Sequence, residues 1–174
     1  MTQPIISWLN STHSAEITAP FDFGVIDAGD SGPLVTFNIW NNKNGDKDVS
    51  KMRDCTITTR GMDGGLETQV VNNNWFHAQV DSLGETDISD ESSRIGKTRS
   101  KPLGTTGSTT KDHSGKELTT PLTPAAQEIL GVNNNGNPLD AAGNYVTFSL
   151  QAEIPMDASS GRQDFKIRVS YRYV

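Results

Sequence analysis

Hydrophobic residues recur at every second position in short runs along this chain, and the residues between the runs are mostly turn formers. Phe21, Phe23 and Val25 alternate with Asp22 and Gly24, and Val35, Phe37 and Ile39 alternate with Thr36 and Asn38. A period of two is what a half-buried strand requires, because successive side chains leave a strand on opposite faces. Between these runs Asp27, Gly29, Asp30, Ser31, Gly32 and Pro33 supply positive φ, fixed φ or side-chain caps, so the chain must turn there. The stretch 21–42 therefore reads as strand, Gly-rich turn, strand, and the rest of the chain is organised around it.

Other runs repeat the pattern. Residues 4–10 read either as a strand apolar on both faces, with Ile5, Ser7 and Leu9 opposite Ile6 and Trp8, or as an N-terminal arm, 1–10, laid on a neighbour. Ala15, Ile17 and Ala19 form a second short alternation, and Asn44-Gly45 marks a turn in the polar loop 41–48. Cys55, Ile57 and Thr59 define a strand that the Asp63-Gly64-Gly65 turn ends. Phe76, Ala78 and Val80 define another, with His77, Gln79 and Asp81 toward solvent. The strongest signals come last. Val146, Phe148, Leu150, Ala152 and Ile154 alternate with polar residues, as do Phe165, Ile167, Val169, Tyr171 and Tyr173, and the two runs read as an antiparallel pair joined by a turn-rich loop.

Between about 84 and 143 the period stops. Glu85, Asp87, Asp90 and Glu91 are followed by Arg94, Lys97, Arg99 and Lys101, then by a polar stretch without pattern. Thr123-Pro124 with Gly131 predicts a two-turn helix over 125–130. A structureless segment of this length is expected to be functional or bound to something. It reads as an insertion that reaches out of the domain, unprotected until it meets a partner, with the acidic and basic halves pairing head to tail between copies.

Composition narrows the classes. The 174 residues fit one all-β domain, 1–174, and the net charge of −6 gives no field for nucleic acid or an anionic membrane. Cys55 is the single cysteine, so an internal disulfide is excluded, and in an alternating run it reads as a small buried hydrophobe. The first residues lack the basic start and apolar run of a signal peptide, which points to a protein made in the cytoplasm.

Chemistry-bearing residues are sparse. His13, His77 and His113 are scattered, without metal-ligand spacing, and read as surface histidines. Asp87, Asp90 and Glu91 lack the order of an EF-hand loop and read as a solvated acidic loop. Gly29-Asp30-Ser31-Gly32 is similar to the nucleophile loop of trypsin-like proteases but lies in a turn with no matching upstream His and Asp. The expectation is no enzyme, no metal and no cofactor. Trp8, Trp40 and Trp75 read either as a stacking face for sugars or as core and interface. Trp40, next to Ile39 and therefore on the opposite face, is the favoured interface or ligand contact.

The order Phe21-Asp22-Phe23-Gly24-Val25, then Gly, then an alternating run into Asn41-Asn42 resembles the opening of immunoglobulin-like domains of the major sperm protein and PapD-like type. Ile154 to Tyr171 resembles the penultimate corner and last strand of immunoglobulin-like domains, although Phe165 stands where a tyrosine corner would carry a hydroxyl. Across its whole length the chain resembles accessory virion proteins of tailed bacteriophages. That resemblance implies an immunoglobulin-like sandwich acting as a capsid decoration or cement protein, oligomeric in the particle and partnered by major capsid or tail proteins. Its contacts would be the insertion and the arm, through Trp8, Trp40, Glu85, Asp87, Arg94, Lys97, Arg99 and Lys101. A tail or baseplate component and a bacterial carbohydrate-binding or adhesin module are the alternatives.

Overall fold

The computed structural model describes residues 2–62 and 67–174, so the turn expected at Asp63-Gly64-Gly65 lies outside the described residues. The chain is all-β. Its strands are β1 (Ile6–Asn10), β2 (Val35–Asn41), β3 (Arg53–Arg60), β4 (Phe76–Gln79), β5 (Arg94–Ile95), β6 (Lys101–Pro102), β7 (Thr109–Lys111), β8 (Glu117–Leu122), β9 (Tyr145–Ala152) and β10 (Lys166–Arg172). Five of them form one antiparallel sheet in the order β1-β2-β9-β4-β5, three form a second, β10-β3-β6, and β7 and β8 make a separate ribbon.

The alternation places the core as the sequence predicts. Phe37 lies opposite Phe148 and Ile39 opposite Val146 in the β2–β9 register, and their side chains meet Cys55 and Ile57 of β3 in one buried cluster. Ile167, Val169 and Tyr171 of β10 pack on that cluster while remaining partly exposed. Trp8 meets the Phe148 ring edge-on at 5.8 Å, so residues 6–10 are the first strand of the protein's own sheet and not an arm laid on a neighbour.

Several expectations are corrected. The two final alternating runs do not pair: β9 is bonded to β2 on one side and β4 on the other, which leaves it no free edge, and β10 pairs with β3 in the opposite sheet. Residues 21–25 are not a strand. Asp22 Oδ1 accepts from the Gly24 N–H at 2.8 Å and Gly24 has φ of 82°, a local turn that sends Phe23 inward and leaves Val25 98% exposed. Phe23 packs edge-on to Phe76 at 5.0 Å, so the aromatic fulfils its core role without a strand beneath it. The helix expected over 125–130 is absent because Gln127 takes φ of 57° and Ile129 exchanges backbone hydrogen bonds with Met52 at 2.9 and 3.0 Å. A four-residue helix, α1 (Gln69–Asn72), occurs instead and buries Val70 and Val71.

The largest correction concerns 84–143. Ile95, Leu103, Ile129, Leu130 and Ala141 are buried, and β5 and β6 extend the two sheets. Buried asparagines tie the rest down. Asn42 donates to Gly131 O at 3.0 Å, Asn134 to Asn42 O at 2.8 Å, and Asn144 to Asn41 O and Val132 O at 3.0 and 2.9 Å. These amides bond main-chain carbonyls, two of which, Gly131 O and Asn42 O, also accept from the Val49 and Gly45 N–H groups, and so a segment poor in apolar residues is ordered from within. Gly131 passes so close to the 49–50 backbone that a Cβ there would meet Val49 O at 2.4 Å.

Candidate functional site

His77 leaves β4 on the face opposite Phe76 and Ala78, where a polar residue is expected in water, yet it is only 2% exposed. Its Nδ1 lies 2.6 Å from Ser93 Oγ and its Nε2 2.7 Å from Glu153 Oε2. Arg94 Nη2 donates to the same Glu153 oxygen at 2.9 Å and Arg94 Nε to Glu91 at 2.8 Å, and Glu91 also accepts from Arg99. The bonds from Arg94 and Arg99 hold the Glu91 carboxyl below the usual range. The surface reading of His77 is thereby corrected: β5 and the 88–93 turn cover it.

A serine, a histidine and a carboxylate in a row invite comparison with a nucleophilic triad. A nucleophile must turn its oxygen toward a substrate and give its proton to the imidazole. Ser93 is fully buried, and its Oγ lies within hydrogen-bond distance of Ile88 O and Asp90 O as well as of His77 Nδ1, so the hydroxyl is enclosed in the 88–93 turn and faces no substrate. Buried in this way, the set fastens the 88–93 turn to the sheet and presents no oxygen to a substrate. The alternation hints at one part of this set, because Glu153 and His77 both fall on polar faces. Their adjacency depends on β4 lying beside β9, which no periodicity specifies.

The charges expected to pair between copies pair within the chain. Glu85 accepts from the Val80 N–H at 2.8 Å and from Lys101 Nζ, 2.7 Å away, and Lys101, itself buried, also donates to Ala78 O at 2.8 Å. Lys97 lies 3.0 Å from Glu67. Asp87 accepts from the amide and hydroxyl of Ser89, and Asp90 accepts from the Ser92 amide; hydrogen bonds from Ser92 hold the Asp90 carboxyl low. Asp87 and Glu91 remain exposed; Arg94, Lys97, Arg99 and Lys101 are tied down by internal partners.

Trp40 does point away from the main core, but it is fully buried rather than presented to a partner. It packs with Leu9, Ala141 and Tyr145, its ring centroid 4.6 Å from that of Tyr145, and its Nε1 donates to His13 Nδ1 at 2.9 Å. Burial, and then the charge of Lys43, lower the His13 pKa, which suits an imidazole that accepts from Trp40. Trp75 is also buried, so the three tryptophans present no common stacking face. His113 is exposed, as expected. The Gly29–Gly32 loop is a turn in which Gly29 has φ of 88° and Ser31 bridges to Glu153.

A surface groove of about 650 Å³ runs along β10, where the lateral seam between the two sheets opens beside Trp8. Ile167 and Val169 line its apolar side, and Arg60, Lys166 and Arg168 its polar side. Among the described residues no helix is long and apolar enough to cross a membrane. Family models, curated proteins and solved structures were each compared with the chain, and none matches.

Proposed function

We propose that this chain is a structural protein of a tailed-bacteriophage virion, a decoration or cement protein with an immunoglobulin-like sandwich, made in the host cytoplasm and docked on the capsid lattice. The observation that carries this reading is the β7–β8 ribbon. Its outer strand is exposed at five of six positions and, among the described residues, pairs with β7 alone. An isolated two-stranded ribbon has little stability of its own. Here the base is closed by a 2.5 Å hydrogen bond between the Ser108 and Thr123 hydroxyls and by a bridge from Thr109 to Ala141, which fasten the ribbon to the folded body. At the tip, Asp112 Oδ1 collects the Ser114 amide and hydroxyl and the Lys116 amide. A rigid, hydroxyl-rich surface held off the core is suited to a polar, water-bridged contact with a neighbouring subunit. The bacteriophage assignment rests on the compositional resemblance of the whole chain.

Replacing residues 110–122 by a two-residue turn tests the reading, since the ends of the excised ribbon already meet. The shortened protein should melt within a few degrees of the parent and fail to sediment with capsids in a mixing assay. Undiminished co-sedimentation would refute the ribbon as the contact.

A further inference from the structure

We propose that β10 is an acceptor edge for an extended segment of another protein in which apolar and acidic residues alternate. β10 is bonded to β3 on one side only. On its other side every second residue directs its N–H and C=O outward, and among the described residues no backbone group meets them. An unpaired edge of this kind is a template for a further strand, and natural sheets usually cover or shorten it.

The other edges of this protein are managed in those ways. Along β1, the Ile17 N–H donates to Trp8 O at 2.8 Å and Leu9 bridges to Glu16. β5 and β6 are two residues long, and β8 contains Pro121, which has no N–H to offer. β10 has seven residues, no proline and a bulge only after Ser170, so 166–170 is a regular run.

The groove beside this edge defines the occupant. Trp8, Ile167 and Val169 are partly exposed there, so a guest strand with apolar side chains on its inner face would complete the seam between the sheets. Its outward side chains would stand beside Arg168, which is exposed, and near Arg60, whose Nε is buried without a hydrogen-bond partner. Acidic side chains match both. Among the described residues lining the groove the one carboxylate, Glu67, is already held by Lys97.

A second copy of β10 fits poorly. In an antiparallel pair centred on Val169, the two exposed Arg168 side chains would be diagonal neighbours on one face, and like charges so placed across a ladder are destabilising. The same Arg168 that admits an acidic strand therefore opposes self-association.

The probe is a nine-residue peptide alternating valine and glutamate, compared with a valine–lysine peptide and a block-ordered valine–glutamate peptide of the same composition. Fluorescence reports Trp8, because Trp40 and Trp75 are buried, and hydrogen exchange reports the 166–170 amides. The alternating acidic peptide should perturb the emission and slow exchange in 166–170. Arg168→Glu, at an exposed site and with unchanged melting, should weaken it by about tenfold or more and favour the lysine peptide. The proposal is overturned by absence of protection with any peptide at millimolar concentration, by equal binding of the block-ordered peptide, or by indifference to Arg168→Glu. Protection that grows with protein concentration alone, with dimers in sedimentation, would assign the edge to a second copy and equally overturn it. None of these outcomes depends on capsid binding by the ribbon.

Discussion

Lys101 separates the internal reading of the charged segment from the surface reading most sharply. The Lys101→Met substitution keeps the length of the apolar stem and removes the ammonium, which donates to Ala78 O at 2.8 Å and lies 2.7 Å from Glu85 Oε2. Ala78 is fully buried on β4, one strand in from the edge of the five-stranded sheet, and its carbonyl would lose this bond; an unsatisfied buried acceptor costs about 1–3 kcal/mol. Glu85 keeps the Val80 N–H and is one-third exposed, so losing its cation costs about 0.5–1 kcal/mol. The sum is about 1.5–4 kcal/mol, and at roughly 2–4 °C per kcal/mol for a chain of this size the midpoint should fall by about 3–16 °C. Lys97→Met is the control: its side chain is 52% exposed and its pair with Glu67 should be worth under about 0.5 kcal/mol. Urea melts of the isolated protein measure both at once. A loss below about 1 kcal/mol for Lys101→Met, or equal losses for the two variants, would mean that Lys101 is not a buried strut and that its charge is available to a partner.

Phe148→Ala should cost about 3–5 kcal/mol in the same melts, because the ring is fully buried between Trp8 and Phe37; under about 1 kcal/mol would contradict its central place in the sheet. Hydrogen exchange on the free chain should show strong protection at Ile95, Leu103, Ile129 and Leu130, whereas uniform fast exchange over 84–143 would restore the picture of an unanchored insertion. Burial, with the charges of Asp54 and Glu128 behind it, pushes the Cys55 thiol up to about 12. Its folded pKa is raised, so this contribution to stability is complete below the ordinary thiol value and is lost as the pH climbs toward about 12. Alkylation of Cys55 at pH 8 should accordingly require denaturant, and prompt labelling of the native protein would refute its burial.

Strand identity and facing were legible without coordinates, because the alternation at Val35–Ile39, Cys55–Thr59, Phe76–Val80, Val146–Ala152 and Phe165–Tyr171 states which side chains share a face. The burial of Cys55 and the turn at Gly29–Gly32 were legible for the same local reasons. Alternation does not say which strand lies beside which. Only the folded chain makes β9 the central strand, with β2 and β4 on its two edges, and thereby excludes the hairpin with β10 that adjacency in sequence suggests. Polar burial was equally hidden. Asn134 donates to the carbonyl of Asn42, 92 residues earlier, and Lys101 reaches the carbonyl of Ala78; each is a surface residue until a distant strand brings its acceptor within 3 Å. A hydrophobic residue announces its burial by its own chemistry, but a polar one is buried only when its partner arrives, and the partner is set by the tertiary fold.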